Sequence, residues 1–113
     1  MTGIPLRSLV VEDSDSMRRL LSDLLGEQNY QVSAVSRAED ALEAHRQTPF
    51  QLMIVDWTLP GRSGLDLCRD VRSEPGGGDV YIVVVTGRNK PEDLQEVLDA
   101  GASDYLAKPV DPM

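Results

Sequence analysis

Cys68 is the only cysteine in the 113-residue chain, so an internal disulfide, a CxxC redox pair and a cysteine-based zinc cluster are all excluded. Long apolar runs are lacking too. No stretch approaches the ~20 residues that span a bilayer, and the opening MTGIPLRS has one Arg with no following apolar segment long enough for a signal peptide. The cytoplasm is therefore the expected compartment. Basic residues are few, 11 Lys and Arg against 19 Asp and Glu, for a formal net charge of −8. That acidity repels phosphate backbones and anionic lipid, so the chain is expected to grip neither nucleic acid nor a membrane by itself. His45 is the only histidine; with no partner motif around it, a packing or surface role is expected.

What is present fits one compact domain. Hydrophobic residues make up 41% and charged residues 27%, an ordinary globular balance, and the length suits a single core. The chain alternates between two periods. Leu6–Val11 is an apolar-rich run ending in Glu12 and Asp13. Met17, Leu20, Leu21, Leu24 and Leu25 then follow helical spacing, with Ser14 or Asp15 as cap and Gly26 as the expected end. Tyr30–Val35 alternates like an edge strand, and Ser36 opens a helix with Ala38, Ala41, Leu42 and His45 on one face. Leu52–Val55 reads as a central parallel strand covered on both sides, and it ends in Asp56.

After the Pro60-Gly61 loop, a helix carries Leu65, Cys68 and Val71. Val80–Val85 is a second buried strand, ending at Thr86. Pro91 suits the first turn of a helix whose apolar face is Leu94, Val97 and Leu98, with Gly101 beyond its end. Ser103–Ala107 is a last short strand before Lys108 and Pro109. Strands alternating with helices in this way predict a parallel sheet with right-handed crossovers. Pro75–Gly78 is read as a flexible turn; its glycines precede a strand, whereas a phosphate-cradling loop follows one and opens a helix.

One regularity carries the functional reading. The strongest strands end, at their C-terminal tips, in Glu12 and Asp13, Asp56, Thr86 and Lys108. In an open parallel sheet these tips share one edge, where ligands bind. Two carboxylates about 5 Å apart repel by roughly 3 kcal/mol at an effective dielectric near 20, so three of them call for a cation. An all-oxygen, shallow site suits Mg2+ with retained waters. A nucleophilic acid, a metal, an ammonium and a hydroxyl are the parts needed for phosphoryl transfer to a carboxylate. Taken singly, each of these residues has an ordinary structural explanation; acids such as Asp15 and Asp66 simply cap helices.

The stretches LVVEDSDSMRRLL, LMIVDWTLPGRSGLDL, VVVTGR and GASDYLAKPV together resemble the receiver domain of two-component response regulators, the CheY-like group, over nearly the whole chain. The resemblance implies an α/β, flavodoxin-like, doubly wound fold with five parallel strands in the order 2-1-3-4-5. It implies that Asp56 is the phosphoacceptor for a histidine kinase or phosphotransfer protein. Mg2+ would be held by Asp13, Asp56 and the backbone carbonyl of Thr58, with Glu12 reaching it through water. Thr86 and Lys108 would contact the phosphoryl group, Thr86 and Tyr105 would form the switch, and the Lys108–Pro109 peptide would be cis. Thr58 and Arg88 occupy variable positions that tune phosphoryl lifetime in the family.

Val110 departs from the aromatic usual after Lys-Pro, and the chain stops at Met113, where the fifth helix should begin. Residues 1–113 are therefore expected to be an N-terminal receiver domain within a longer regulator or hybrid histidine kinase. An apolar sheet face would be left uncovered, with homodimerisation as one consequence. An output domain or downstream protein would read the switch. The chain is not expected to be an enzyme beyond its own phosphorylation and dephosphorylation. An aspartyl phosphatase would place a second acid where Thr58 stands, and a flavin or nucleotide module would need a phosphate loop after the first strand.

Overall fold

A computed structural model describes residues 6–109. Its five strands are β1 (Arg7–Val11), β2 (Gln31–Val35), β3 (Leu52–Asp56), β4 (Tyr81–Thr86) and β5 (Asp104–Ala107), and the helices between them are α1 (Asp15–Glu27), α2 (Ala38–Gln47), α3 (Gly64–Ser73) and α4 (Pro91–Asp99). All strand pairs are parallel, in the order β2-β1-β3-β4-β5. This is the expected flavodoxin-like, doubly wound sheet. Val110 and Met113, and with them the expected start of a fifth helix, lie outside the described residues.

Burial follows from strand position. The central strands meet side chains on both faces, so consecutive apolar residues are buried: Leu9, Val10 and Val11 in β1, and Met53, Ile54 and Val55 in β3. β2 lies at an edge, and its Gln31 and Ser33 are exposed. One sheet face is covered by α2, α3 and α4, which bring Ala41, Leu67, Cys68, Val71 and Val97 against Leu9, Met53, Val55, Ile82 and Val84. The other face packs Val10, Ile54 and Val85 beneath Leu21, Met17 and Leu25 of α1. Toward β5 that face lies open among the described residues, with Tyr81 and Leu106 half-exposed.

The helix ends are written locally. Ser14 caps α1 by accepting the Met17 N–H, and Ser63 and Asp66 form a reciprocal capping box on α3. Gly26, the expected stop of α1, lies inside the helix instead. Asn29 ends it in the left-handed region at φ 71°, while the Tyr30 N–H donates to the Leu25 carbonyl; asparagine tolerates that conformation better than most side chains. In α4 the buried stripe is Val97 and Ala100, and Leu98 is exposed. The helix contacts the sheet through one narrow seam, and Leu98 falls beside it.

Pro75–Gly78 is not a free turn. It runs into a short 3-10 turn at Gly77–Asp79, and Arg72 holds the region by donating to the carbonyls of Gly77, Val80 and Gly101 at 2.6–2.7 Å. His45 takes the packing role: it is buried, and its Nδ1 accepts the Phe50 N–H at 3.1 Å, while burial lowers its pKa. Cys68 is fully buried, and burial pushes its thiol up to about 11, which leaves it an inert core residue. The Lys108–Pro109 peptide is cis.

Candidate functional site

Parallel pairing brings the strand tips level. Val11 lies opposite Val55, Asp56 opposite Val85, and Thr86 opposite Ala107. The ladder continues past the strand ends, as the Trp57 N–H donates to the Val85 carbonyl and the Lys108 N–H to the Thr86 carbonyl. Residues spread from position 12 to 108 therefore meet at one edge.

Glu12, Asp13 and Asp56 each offer a carboxylate oxygen within 4.8 Å of the others. Glu12 is 1% and Asp56 4% exposed, whereas Asp13 faces solvent. Lys108 Nζ donates to Asp56 Oδ2 at 3.0 Å, and the Thr58 N–H donates to Asp56 Oδ1 at 3.3 Å. The Ser14 N–H donates to Glu12 Oε2 at 3.0 Å. Glu12 Oε1 is buried without a hydrogen-bond partner. A buried, unpartnered carboxylate oxygen in an all-oxygen cluster is what a hard divalent cation would satisfy, so the donor set fits Mg2+.

Burial pushes the Glu12 carboxyl up to about 7, and the nearby charge of Asp56 adds to the rise, against a partial offset from the Ser14 N–H. Between pH 4.5 and about 7 the folded chain thus keeps a proton that the unfolded chain has lost. The metal-free fold should lose up to about 3 kcal/mol of stability as pH rises through that window, and nothing further from this group above it. Urea denaturation in chelator at several pH values tests this. Glu12→Gln should remove that component of the slope, and an identical slope in the variant would assign it to another group.

Thr86 is buried, and its Oγ1 accepts the Arg88 N–H at 2.9 Å. The Arg88 guanidinium lies 4.3 Å over the ring of Trp57, which is itself buried beside Asp56. Tyr105 stands apart from the acidic cluster, on β5, and is 37% exposed. The structure therefore gathers Glu12, Asp13, Asp56, Thr58 and Lys108 directly. Thr86 is linked to Lys108 through the main chain, and Tyr105 is left outside. Sequence reasoning did not single out the Ser14 N–H, Arg18 or the Arg88–Trp57 stack. Only the position of Arg18, one turn into α1 and within reach of the loop before it, was a usable signal.

The response regulator receiver domain model matches residues 8–113. This chain belongs to the receiver domain family. The two-component response regulator PhoP of Pseudomonas aeruginosa is 43% identical to this receiver domain over 104 residues, 92% of this chain and 45% of PhoP. The chain spans about half the length of the curated relatives it matches. Among solved structures, chemotaxis response regulator CheY4 of Vibrio cholerae superposes with a TM-score of 0.92 at 28% identity, covering 96% of this chain and 91% of that one. The receiver domain of the Pseudomonas aeruginosa sensor histidine kinase PA1611 superposes at 0.87 with 27% identity, covering 96% and 89%, and was solved with a magnesium ion coordinated in its active-site cleft. The receiver fold and a two-component signalling role thus hold for this chain. Among the described residues, no helix is long and apolar enough to cross a membrane.

Proposed function

We propose that Asp56 is the phosphoacceptor of this receiver domain. One carboxylate oxygen attacks the phosphorus of a kinase phosphohistidine; the new P–O bond forms as the P–N bond breaks, and the departing imidazole takes up a proton. The observation that carries the reading is the buried Asp56 carboxylate held by the Lys108 ammonium at 3.0 Å beside the unpartnered oxygen of Glu12. Lys108 orients the acceptor and offers positive charge to the incoming phosphoryl oxygens. Thr86 can donate its hydroxyl while its Oγ1 still accepts from Arg88. Asp13, Asp56 and the Thr58 carbonyl would hold Mg2+, with Glu12 acting through water, and the cation would supply charge neutralisation for the transferring group.

The switch reading for Thr86 and Tyr105 rests on the resemblance to the receiver family, and the partial exposure of Tyr105 is compatible with it: inward rotation of that ring, once Thr86 is drawn toward the phosphoryl group, would alter the α4–β5 surface. The partners are a sensor histidine kinase or phosphotransfer protein and an output domain or downstream protein, with self-association through the exposed apolar face. The cytoplasm is the compartment where such a kinase presents its phosphohistidine. Residues 1–113 act as a receiver domain in a longer regulator, a reading supported by the length of the relatives. A place in a hybrid histidine kinase is the second reading, favoured by the likeness to the PA1611 receiver. Thr58, standing where a phosphatase would keep a second acid, argues against turnover of external phosphoesters.

Trp57 adjoins the acceptor and is the only tryptophan, so beryllofluoride, a phosphoryl mimic, should change its fluorescence in the presence of Mg2+ and leave it unchanged after Asp56→Asn. A wild-type protein that neither responds nor becomes phosphorylated would refute the proposed role.

A further inference from the structure

Arg18 lies one turn inside α1, and its guanidinium folds back over the loop that carries the acidic pair. Nη1 donates to the Glu12 carbonyl at 2.9 Å and reaches the Asp13 carbonyl at 3.5 Å, while Nη2 meets Asp15 Oδ1 at 2.5 Å. The Arg18 side chain is 25% exposed and that of Asp15 92%, so the buried end of this group is directed at the main chain rather than at its surface partner. The two carbonyls belong to the peptide planes on either side of Asp13. The second of those planes is also held from its other end, because the Ser14 N–H donates to Glu12 Oε2. Both planes flanking Asp13 are therefore fixed, one of them from both ends, and the direction of the Asp13 side chain is set by its backbone.

We propose that Arg18 is a positioning residue for the metal site, orienting Asp13 and Glu12 before the cation arrives; the proposal rests on reading the acidic cluster as the Mg2+ site. The planar fork divides its donors, Nη1 to the main-chain carbonyls and Nη2 to Asp15, so the guanidinium is itself held while it grips the loop, which a single ammonium cannot do with the same geometry. The sign of the effect separates this role from simple electrostatics. A positive charge near the cluster opposes a cation, so removing it would by itself tighten Mg2+ binding. Removing the clamp loosens the loop and weakens binding, by roughly tenfold or more where outer partners orient ligands.

The experiment is a calorimetric Mg2+ titration of the wild-type chain and of Arg18→Met, Arg18→Lys and Arg19→Met, each well below its unfolding midpoint. Arg19 is the exposed neighbour and reports the loss of charge alone. Arg18→Met and Arg18→Lys should both bind Mg2+ roughly tenfold more weakly, and Arg19→Met should bind as tightly as wild type or slightly more so. If Arg18→Met does not fold, Arg18→Lys makes the same comparison with its charge kept. Unchanged or tighter binding by the Arg18 variants, even with lower urea midpoints, would overturn the proposal and leave Arg18 a structural clamp. A wild-type chain that binds no Mg2+ would instead remove the metal reading, and the positioning role with it.

Discussion

Asp56→Asn is expected to lower phosphoryl incorporation from a small-molecule phosphodonor by more than about a thousand-fold, because an amide lacks the nucleophilic oxygen of a carboxylate. The side chain stays the same size. Its Oδ1 can still accept the Thr58 N–H, while its NH2 would face the Lys108 ammonium, donor against donor. The fold should survive: the lost ion pair with Lys108 is offset by relief of repulsion within the three-acid cluster, leaving metal-free stability within about 1 kcal/mol of wild type. Intact-protein mass after phosphodonor treatment, with urea denaturation alongside, measures both effects. Undiminished labelling of a folded Asn variant would move the acceptor elsewhere, with Asp13 the first candidate.

Gly64→Ala should be the most damaging methyl group that can be added near the site. A Cβ there would lie 2.1 Å from the Asp56 carbonyl oxygen and 2.9 Å from its carbonyl carbon, and also 3.0 Å from Val55 Cγ1. The obstacle is backbone, so no rotamer change relieves it. The N-terminus of α3 must back away from the end of β3, and the hydrogen bond from the Gly64 N–H to the Trp57 carbonyl, 2.8 Å long, goes with it. The expected loss is about 3 kcal/mol, or on the order of 10–20 °C in Tm. The displaced 57–63 loop should also weaken Mg2+ binding. Gly26→Ala is the control, since a Cβ there meets nothing within 4 Å and should raise stability by up to about 1 kcal/mol in a helix. Equal stability for the two variants, by thermal or urea unfolding, would refute the close-approach argument.

These expectations differ in how much of them could be seen before folding. That Asp56 ends a buried strand is a matter of composition and order: an apolar run with an acid at its end is written in five consecutive letters. The other tips, Glu12 and Asp13, Thr86 and Lys108, follow in the same way, because in a parallel sheet the direction of the chain decides which end faces the crevice. The α1 cap was legible to within one residue, as Ser14 or Asp15, since a cap acts on its own helix within three residues, whereas the Ser63 cap of α3 emerged only in the structure.

Other features depended on distances between elements far apart in sequence. Periodicity says which side of a helix is apolar, but not how wide the seam is that it will meet, so Leu98 was assigned to a buried face and lies exposed. Gly26 resembled a helix stop, yet the turn that ends α1 is made by Asn29, where the chain must reverse to enter β2. Pro75–Gly78 looked free because its anchor, Arg72, bonds it through backbone carbonyls that no side-chain pattern reveals.

The sequence by itself determined the succession of strands and helices and the edge on which the acids, the hydroxyl and the ammonium gather, because both are set by local periodicity and chain direction; the family was legible in its motifs instead. The tertiary structure alone decided that Glu12 would hold a buried oxygen without a partner, that Arg18 would grip the peptide planes around Asp13, and that only hydrogen fits on Gly64. Those follow from ångström-scale separations between β1, α1, β3 and α3, which the packing of the whole domain sets.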